Sequence, residues 1–106
     1  MSTKAPVHPG EILRTQFMER YSLSASALAI RLHVPAPRVN DIVRERRGIS
    51  PDSALRLARF FRTTAQYWMD LQTAYDLGVA QAQAGEQIAR EVQPALVEIK
   101  DAAIAA

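Results

Sequence analysis

Apolar residues recur at intervals of three and four along most of this sequence, and almost no segment alternates regularly between apolar and polar residues. Glycine is scarce, and runs of β-branched residues are nearly absent. Such spacing is typical of helices, in which residues three and four apart share one face. The pattern therefore predicts an all-α fold of five consecutive helices, followed by a C-terminal helical extension.

Proline and serine mark where the first two helices begin. The first is predicted from about Pro9 to Arg20, because proline is well suited to the first helical turn. The second is predicted to begin at Ser24, whose hydroxyl can cap a helix N-terminus. The apolar positions expected to face the core are Ile12, Leu13 and Phe17 in the first helix and Leu28, Ala29 and Leu32 in the second.

The stretch RLHVPAPRVNDIVRERRGIS, residues 31–50, places two prolines next to a set of arginines. Pro35 near the cap and Pro37 just inside a helix would remove no hydrogen bond, because the first backbone nitrogens of a helix have no partner within it. A third helix is therefore predicted from Pro35 to Arg46, and Gly48, which is free to take a positive φ, is expected to end it. Its inward face is expected to contain Val39, Ile42 and Val43.

Two further helices are predicted, one beginning after Ser50 and the other near Thr64. Ser50 followed by Pro51 and Asp52 is a strong combination for a helix start. The residues expected to face inward from the fourth helix are Leu55, Leu57, Ala58 and Phe61. The fifth helix carries an aromatic-rich stripe at helical spacing, formed by Trp68, Leu71 and Tyr75.

The C-terminal tail is alanine-rich and acidic, and Gly85 and Pro94 are expected to interrupt its helical pattern. One or two marginal helices are predicted there. The chain is accordingly divided into a domain of residues 1–78 and a helical extension of residues 79–106.

Charge is distributed unevenly along the chain. Residues 1–62 contain eleven Lys/Arg against five Asp/Glu, a net charge of +6, whereas residues 63–106 contain two against six, a net charge of −4. A basic surface suits phosphate, although arginines that merely solvate helix faces explain the same charges equally well. The absence of cysteine, of a secretion-like N-terminus and of an apolar membrane-spanning run leads us to expect a cytoplasmic protein without a membrane partner.

The second and third helices, joined by a very short turn, fit a helix-turn-helix. In that geometry the start of the third helix enters the major groove, where arginine can read guanine and asparagine can read adenine. The residues predicted to meet base edges there are Ala36, Pro37, Arg38, Asn40 and Asp41, with Pro35 beside them at the helix start. The residues predicted to hold phosphates are Arg44, Arg46 and Arg47 beyond the far end and Ser24 and Ser26 at the start of the preceding helix.

Three stretches follow one another along the chain, in the order HPGEIL, SASALAIRLHVPAPRVNDIVRERRGISPDSALRLARFF and TAQYWMDLQTAYDL. With these stretches the sequence resembles the HigA-type antitoxins, within the wider Cro/C1-type helix-turn-helix proteins. The resemblance covers about residues 8–78. It implies a five-helix, lambda repressor-like DNA-binding core that dimerises. It also implies repression of the protein's own operon through double-stranded operator DNA, and neutralisation of a HigB-type toxin, an RNA-cleaving enzyme of the RelE-like kind.

Two departures from the family pattern bear on the DNA contact. Many family members have glycine in the turn where this chain has His33, which must either take a left-handed conformation or turn differently. Pro35 stands where serine or threonine often caps the helix, so one hydroxyl contact to phosphate is missing. The segment after Pro94 is not part of the resemblance, and its role stays open.

Other functions find less support in the residues. His8 and His33 lie too far apart to suggest a metal site and are read as turn or cap residues, and no catalytic constellation or cofactor motif occurs. For Trp68 a core position is favoured, but the stripe of Trp68, Leu71 and Tyr75 with its flanks is also predicted to form a homodimer interface. Two alternatives to an antitoxin stay open: a stand-alone repressor, and an interaction module that no longer binds DNA.

Overall fold

The computed structural model describes residues 5–96, and within this range the chain forms five helices and no strand. Helix α1 covers Pro9–Ile12 and continues directly as a π-helical segment, Leu13–Met18. The other helices are α2, Ala25–Leu32; α3, Ala36–Val43; α4, Pro51–Phe61; and α5, Ala65–Glu91. The predicted all-α class and order of helices are therefore confirmed.

Side-chain caps fix the starts of four helices. The hydroxyl oxygens of Ser24, Ser50 and Thr64 accept backbone N–H groups of the first turns of α2, α4 and α5, at 3.1, 3.2 and 3.0 Å. The Nδ1 atom of His8 accepts the N–H of Gly10 at 2.9 Å and caps α1 in the same way. Each cap satisfies a backbone donor that has no partner inside its helix, which is why these predicted starts are confirmed.

The left-handed residues at the helix ends are not glycines, and for His33 this is one of the two conformations that the sequence left open. His33 with φ 59° ends α2, and Arg62 with φ 62° ends α4. The prediction that Gly48 ends the third helix is wrong, because α3 ends at Val43 and Glu45, with φ 63°, takes the left-handed conformation.

Gly48 instead leaves space for a side chain of α5. A Cβ at Gly48 would collide with the amide group of Gln72, and the Oε1 atom of Gln72 accepts the N–H of Ile49 at 2.6 Å. The glycine therefore serves the packing of α5 against the loop between α3 and α4 rather than the termination of a helix.

The core lies between the helix-turn-helix pair and the aromatic part of α5. Trp68 is fully buried, and the rings of Phe17, Phe61 and Tyr67 surround it with centroids 4.9 to 6.4 Å away. The other core side chains include Leu13, Met18, Leu28, Leu32, Val39, Ile42, Ile49 and Leu57.

Leu55 does not face this core, contrary to the prediction. Its side chain is 63% exposed, whereas Leu57 is buried. Two residues correspond to about 200° around a helix, so these two leucines point to opposite sides. The inward face of α4 is formed instead by Ser53, Ala54, Leu57 and Phe61.

The fifth helix is longer than the sequence predicts. It runs without a break through Gly85 to Glu91, so the prediction that Gly85 interrupts it is wrong, while Pro94 lies beyond its end. The proposed domain boundary at residue 78 falls inside this helix, and residues 97–106 of the extension lie outside the described range. Among the described helices, none combines the length and the apolar character needed to cross a membrane.

Candidate DNA interface

Helices α2 and α3 pack tightly through small and branched side chains. Leu28, Ala29, Val39 and Ile42 are all buried between them and the rest of the core. The left-handed residue His33 makes the turn, and the N–H of Val34 donates to the carbonyl of Ala29 at 3.1 Å. The two helices therefore form a helix-turn-helix in which the turn is closed by backbone hydrogen bonds.

The start of α3 lacks a side-chain cap, as its sequence predicts. Pro35 is the capping residue and makes no side-chain hydrogen bond, while its carbonyl accepts the N–H of Arg38 at 3.0 Å. Pro35 and Pro37 are exposed, and Ala36 is partly buried. An apolar, proline-fixed first turn is thus presented at the surface.

Arg38 is held by an acidic residue from another helix. Its Nη1 atom donates to Oδ2 of Asp52, in the first turn of α4, at 2.6 Å. The same carboxylate oxygen accepts the Nε–H of Arg56 at 2.8 Å. Hydrogen bonds from Arg56 and then Arg38 hold the pKa of the Asp52 carboxyl below its ordinary value, so this group is ionised at neutral pH.

Asn40 and Asp41, the next polar residues of α3, also make contacts within the protein. The Nδ2 atom of Asn40 donates to the carbonyl of Ala36 at 3.2 Å, which leaves its Oδ1 atom and a second N–H for other partners. Asp41 pairs with Arg47 at 3.4 Å and lies 3.9 Å from Arg46. Asp41 therefore organises the arginines at the far end of α3.

The predicted phosphate-binding residues are exposed at the start of α2 and beyond the end of α3. Arg44, Arg46 and Arg47 are exposed and follow the last residue of α3, where an alternative role is a favourable charge at the helix C-terminus. Ser24 and Ser26 are exposed at the start of α2, and the Ser24 hydroxyl already accepts the N–H of Ala27.

The structure corrects the assignment of Trp68 to a dimer interface. Trp68 is 0% exposed, and its indole N–H donates to the hydroxyl oxygen of Thr63 at 2.7 Å. A side chain without accessible surface cannot contact a second chain, so Trp68 belongs to the core. Leu71 and Tyr75 are partly exposed on the same helix, and the Tyr75 ring packs edge-on against His8 with centroids 4.8 Å apart.

Asp52 and Arg56 are part of this surface although the sequence did not single them out for it. Their spacing of four residues on one helix is a recognisable signal for an ion pair. Their contact with Arg38 spans fourteen residues and depends on how α4 packs beside α3. No local pattern indicates that contact.

This fold, with two helices joined by a closed turn and a basic surface around the second, defines a helix-turn-helix protein of the Cro/C1 type. No protein-family model matches the chain. Antitoxin HigA of Pseudomonas aeruginosa, solved with the higBA promoter, is 56% identical, with 86% of this chain and 99% of that chain covered and a TM-score of 0.84. The chain belongs to the HigA antitoxin family.

Two other similar proteins agree with this placement. Antitoxin GraA, solved in complex with its operator, is 46% identical, with 92% of this chain and 98% of that chain covered and a TM-score of 0.84. Virulence-associated protein I of Dichelobacter nodosus is 56% identical over 75 residues, which are 71% of this chain and 69% of that protein.

Proposed function

We propose that this chain is a sequence-specific DNA-binding antitoxin, which represses its own toxin-antitoxin operon and neutralises a HigB-type ribonuclease toxin. The observation that carries the proposal is the start of α3, where Pro35 and Pro37 are exposed and the partly exposed Arg38 and Asn40 follow the closed turn. Two similar antitoxins, one solved with a promoter and one with its operator, support DNA as the partner.

Roles divide along α3 by distance from its start. Arg38 and Asn40 are proposed to read base edges in the major groove, with Ala36 and Pro37 available for thymine methyl groups. Arg44, Arg46 and Arg47 are proposed to bind phosphates and to fix the register of the helix on the duplex. Ser24 and Ser26 add phosphate contacts at the start of α2, where the helix dipole favours an anion.

A homodimer fits this mode of binding. Two recognition helices spaced by about 34 Å would meet successive major grooves on one face of a palindromic operator. The proposed contact is on α5 and its flanks and includes Leu71 and Tyr75, which keep accessible surface. If sedimentation at micromolar concentration finds only monomers, with and without operator DNA, the dimer is wrong.

The DNA part of the proposal is tested by a gel shift on the region upstream of the chain's own gene. A duplex of the same length and composition in scrambled order serves as the control, at one fixed salt concentration because phosphate contacts are strongly salt-dependent. Binding that is tighter to the upstream region supports the proposal. Equal binding to both duplexes contradicts sequence-specific repression, and no binding to either contradicts DNA binding altogether.

The toxin part is tested separately by co-expression. The neighbouring reading frame, if it encodes a small basic protein, is expressed with and without this chain in cells whose growth is followed. The expected result is growth arrest by the neighbour alone, relief by this chain and a complex that co-purifies. Arrest that persists when both are present contradicts the antitoxin role while leaving the DNA result intact.

A further inference from the structure

Asp52 lies at the point where three helices of the proposed DNA-binding surface meet. It occupies the first turn of α4, and its Oδ2 atom accepts hydrogen bonds from Arg38 of α3 and from Arg56, one turn further along α4. The side chains of Arg38 and Asp52 are 29% and 55% exposed, so this ion pair is at the surface and not part of the core.

Arg56 ties this carboxylate to α2 as well. While its Nε–H donates to Asp52, its Nη1 atom donates to the carbonyl of Leu32, in the last turn of α2, at 2.9 Å. The guanidinium thus joins a C-terminal carbonyl of α2 to the first turn of α4. Asp52 is therefore a hydrogen-bond acceptor held in place by Arg56, which is itself bonded to α2.

We infer that Asp52 is a positioning residue for base recognition, which holds the Arg38 guanidinium in place at the start of the recognition helix. The inference rests on the proposed function, in which Arg38 reads a base. It extends that function by assigning specificity to a residue outside the helix-turn-helix.

Ordering the Arg38 side chain before DNA binds favours specific binding, because less conformational entropy is lost in the complex. A free arginine samples many rotamers, and ordering such a side chain on binding carries an entropic cost. A guanidinium carries five N–H donors, so one bond to Asp52 leaves others for the O6 and N7 atoms of guanine. The Arg38 side chain is already ordered in the free protein, so operator binding does not bear the entropic cost of ordering it.

The charge of Asp52 works in the opposite direction on general affinity. A carboxylate on a DNA-facing surface repels phosphate, so its removal alone would tighten binding to every duplex. The ratio of operator affinity to scrambled-duplex affinity therefore separates the two effects. A positioning role predicts that the ratio falls when Asp52 is neutralised, whereas a purely electrostatic role leaves the ratio unchanged.

The experiment compares wild type, Asp52→Asn and Glu45→Gln by fluorescence anisotropy with operator and scrambled duplexes at one salt concentration. Glu45 is exposed just beyond α3 and makes no ion pair within residues 5–96, so Glu45→Gln removes the same charge without touching Arg38. We expect Asp52→Asn to lower the specificity ratio about three- to tenfold. Glu45→Gln should leave the ratio unchanged.

Two further measurements tie the effect to Arg38. In an Arg38→Ala background, Asp52→Asn should no longer change the ratio, because the side chain that it positions is absent. In the free protein, ¹⁵N relaxation of the Arg38 Nε–H group should report a more mobile side chain in Asp52→Asn than in wild type. Circular dichroism confirms that each variant is folded.

The possible failures are distinguishable. A wild-type protein that does not discriminate between the duplexes overturns the proposed function and this inference with it. If wild type discriminates and Asp52→Asn keeps the same ratio, only the inference is overturned. A ratio that falls equally with and without Arg38, or an Arg38 side chain equally mobile in both proteins, overturns it as well.

Discussion

Gly10 lies directly against the backbone carbonyl of Ile42, so that the first turn of α1 touches the last turn of α3. Gly10 is buried, and a Cβ atom there would occupy the position of the Ile42 carbonyl. The obstructing group is backbone and cannot rotate away as a side chain could. Close approach at this one glycine therefore fixes how the N-terminal helix supports the proposed recognition helix.

This contact predicts that Gly10→Ala destabilises the protein. Overpacking a tight site typically costs about 1 to 3 kcal/mol. The matched control is Gly85→Ala, in an exposed part of α5 where the added methyl meets only the flexible end of Gln81. Alanine should stabilise that position by about 0.5 to 1 kcal/mol. Urea denaturation of both variants measures the difference, and a neutral Gly10→Ala would contradict the close contact.

Arg38 and Arg46 are predicted to differ in what they contribute to DNA binding. Arg38→Ala should cost about 1 to 3 kcal/mol on the operator and relax sequence preference, because a base contact is lost. Arg46→Ala should weaken binding to all duplexes and lower the salt slope by about one unit, because a phosphate contact is lost. Anisotropy titrations over a range of salt concentrations measure both. Equal losses on operator and scrambled DNA for Arg38→Ala would refute its assigned role.

The left-handed turn predicts a stabilising substitution at His33. Its φ of 59° disfavours a residue with a side chain, and glycine removes this cost, so His33→Gly should raise the free energy of unfolding by about 1 kcal/mol. Ile30→Gly is the control, because Ile30 is 74% exposed inside α2. There glycine should cost about 0.5 kcal/mol, because isoleucine is itself a poorer helix former than alanine. The same residue type is thus expected to have opposite effects three positions apart, and thermal unfolding of the two variants checks the signs.

The ion pairs of Asp52 predict a pH-dependent contribution to stability. Arg56 and Arg38 lower the pKa of this carboxyl in the folded state, so its contribution is fully present above the unfolded pKa of about 3.9 and is lost as the pH falls through the lower folded value. Wild type should therefore be more stable than Asp52→Asn at neutral pH, and the gap should close below about pH 4. Urea midpoints measured across this range test the prediction. A gap that widens in acid would contradict it.

The sequence determined the features that depend on a few neighbouring residues. Ser24, Ser50 and Thr64 were recognisable as helix starts, because a cap needs only a side-chain oxygen and the next backbone N–H groups. The prolines of α3 were correctly read as a first turn, because the missing hydrogen bonds are those that a helix start lacks in any case. The helix-turn-helix and its family could therefore be predicted from local patterns taken in order.

Tertiary packing decided the rest, because those features join residues that are distant in the chain. Glu45, not a glycine, takes the left-handed conformation after α3, while Gly48 leaves space for the Gln72 side chain and Gly85 lies within the unbroken α5. Trp68 could have faced a partner or the core, and only the surrounding rings of three helices place it inside.

The candidate site divides in the same way. Arg38 and Asn40 were predicted from the position and chemistry of α3, and their contacts with DNA remain predictions. The carboxylate that holds Arg38 comes from the first turn of the next helix, fourteen residues away. Local sequence specifies which side chains a helix presents, whereas the orientation of a long, flexible side chain depends on the partner that tertiary packing brings to it.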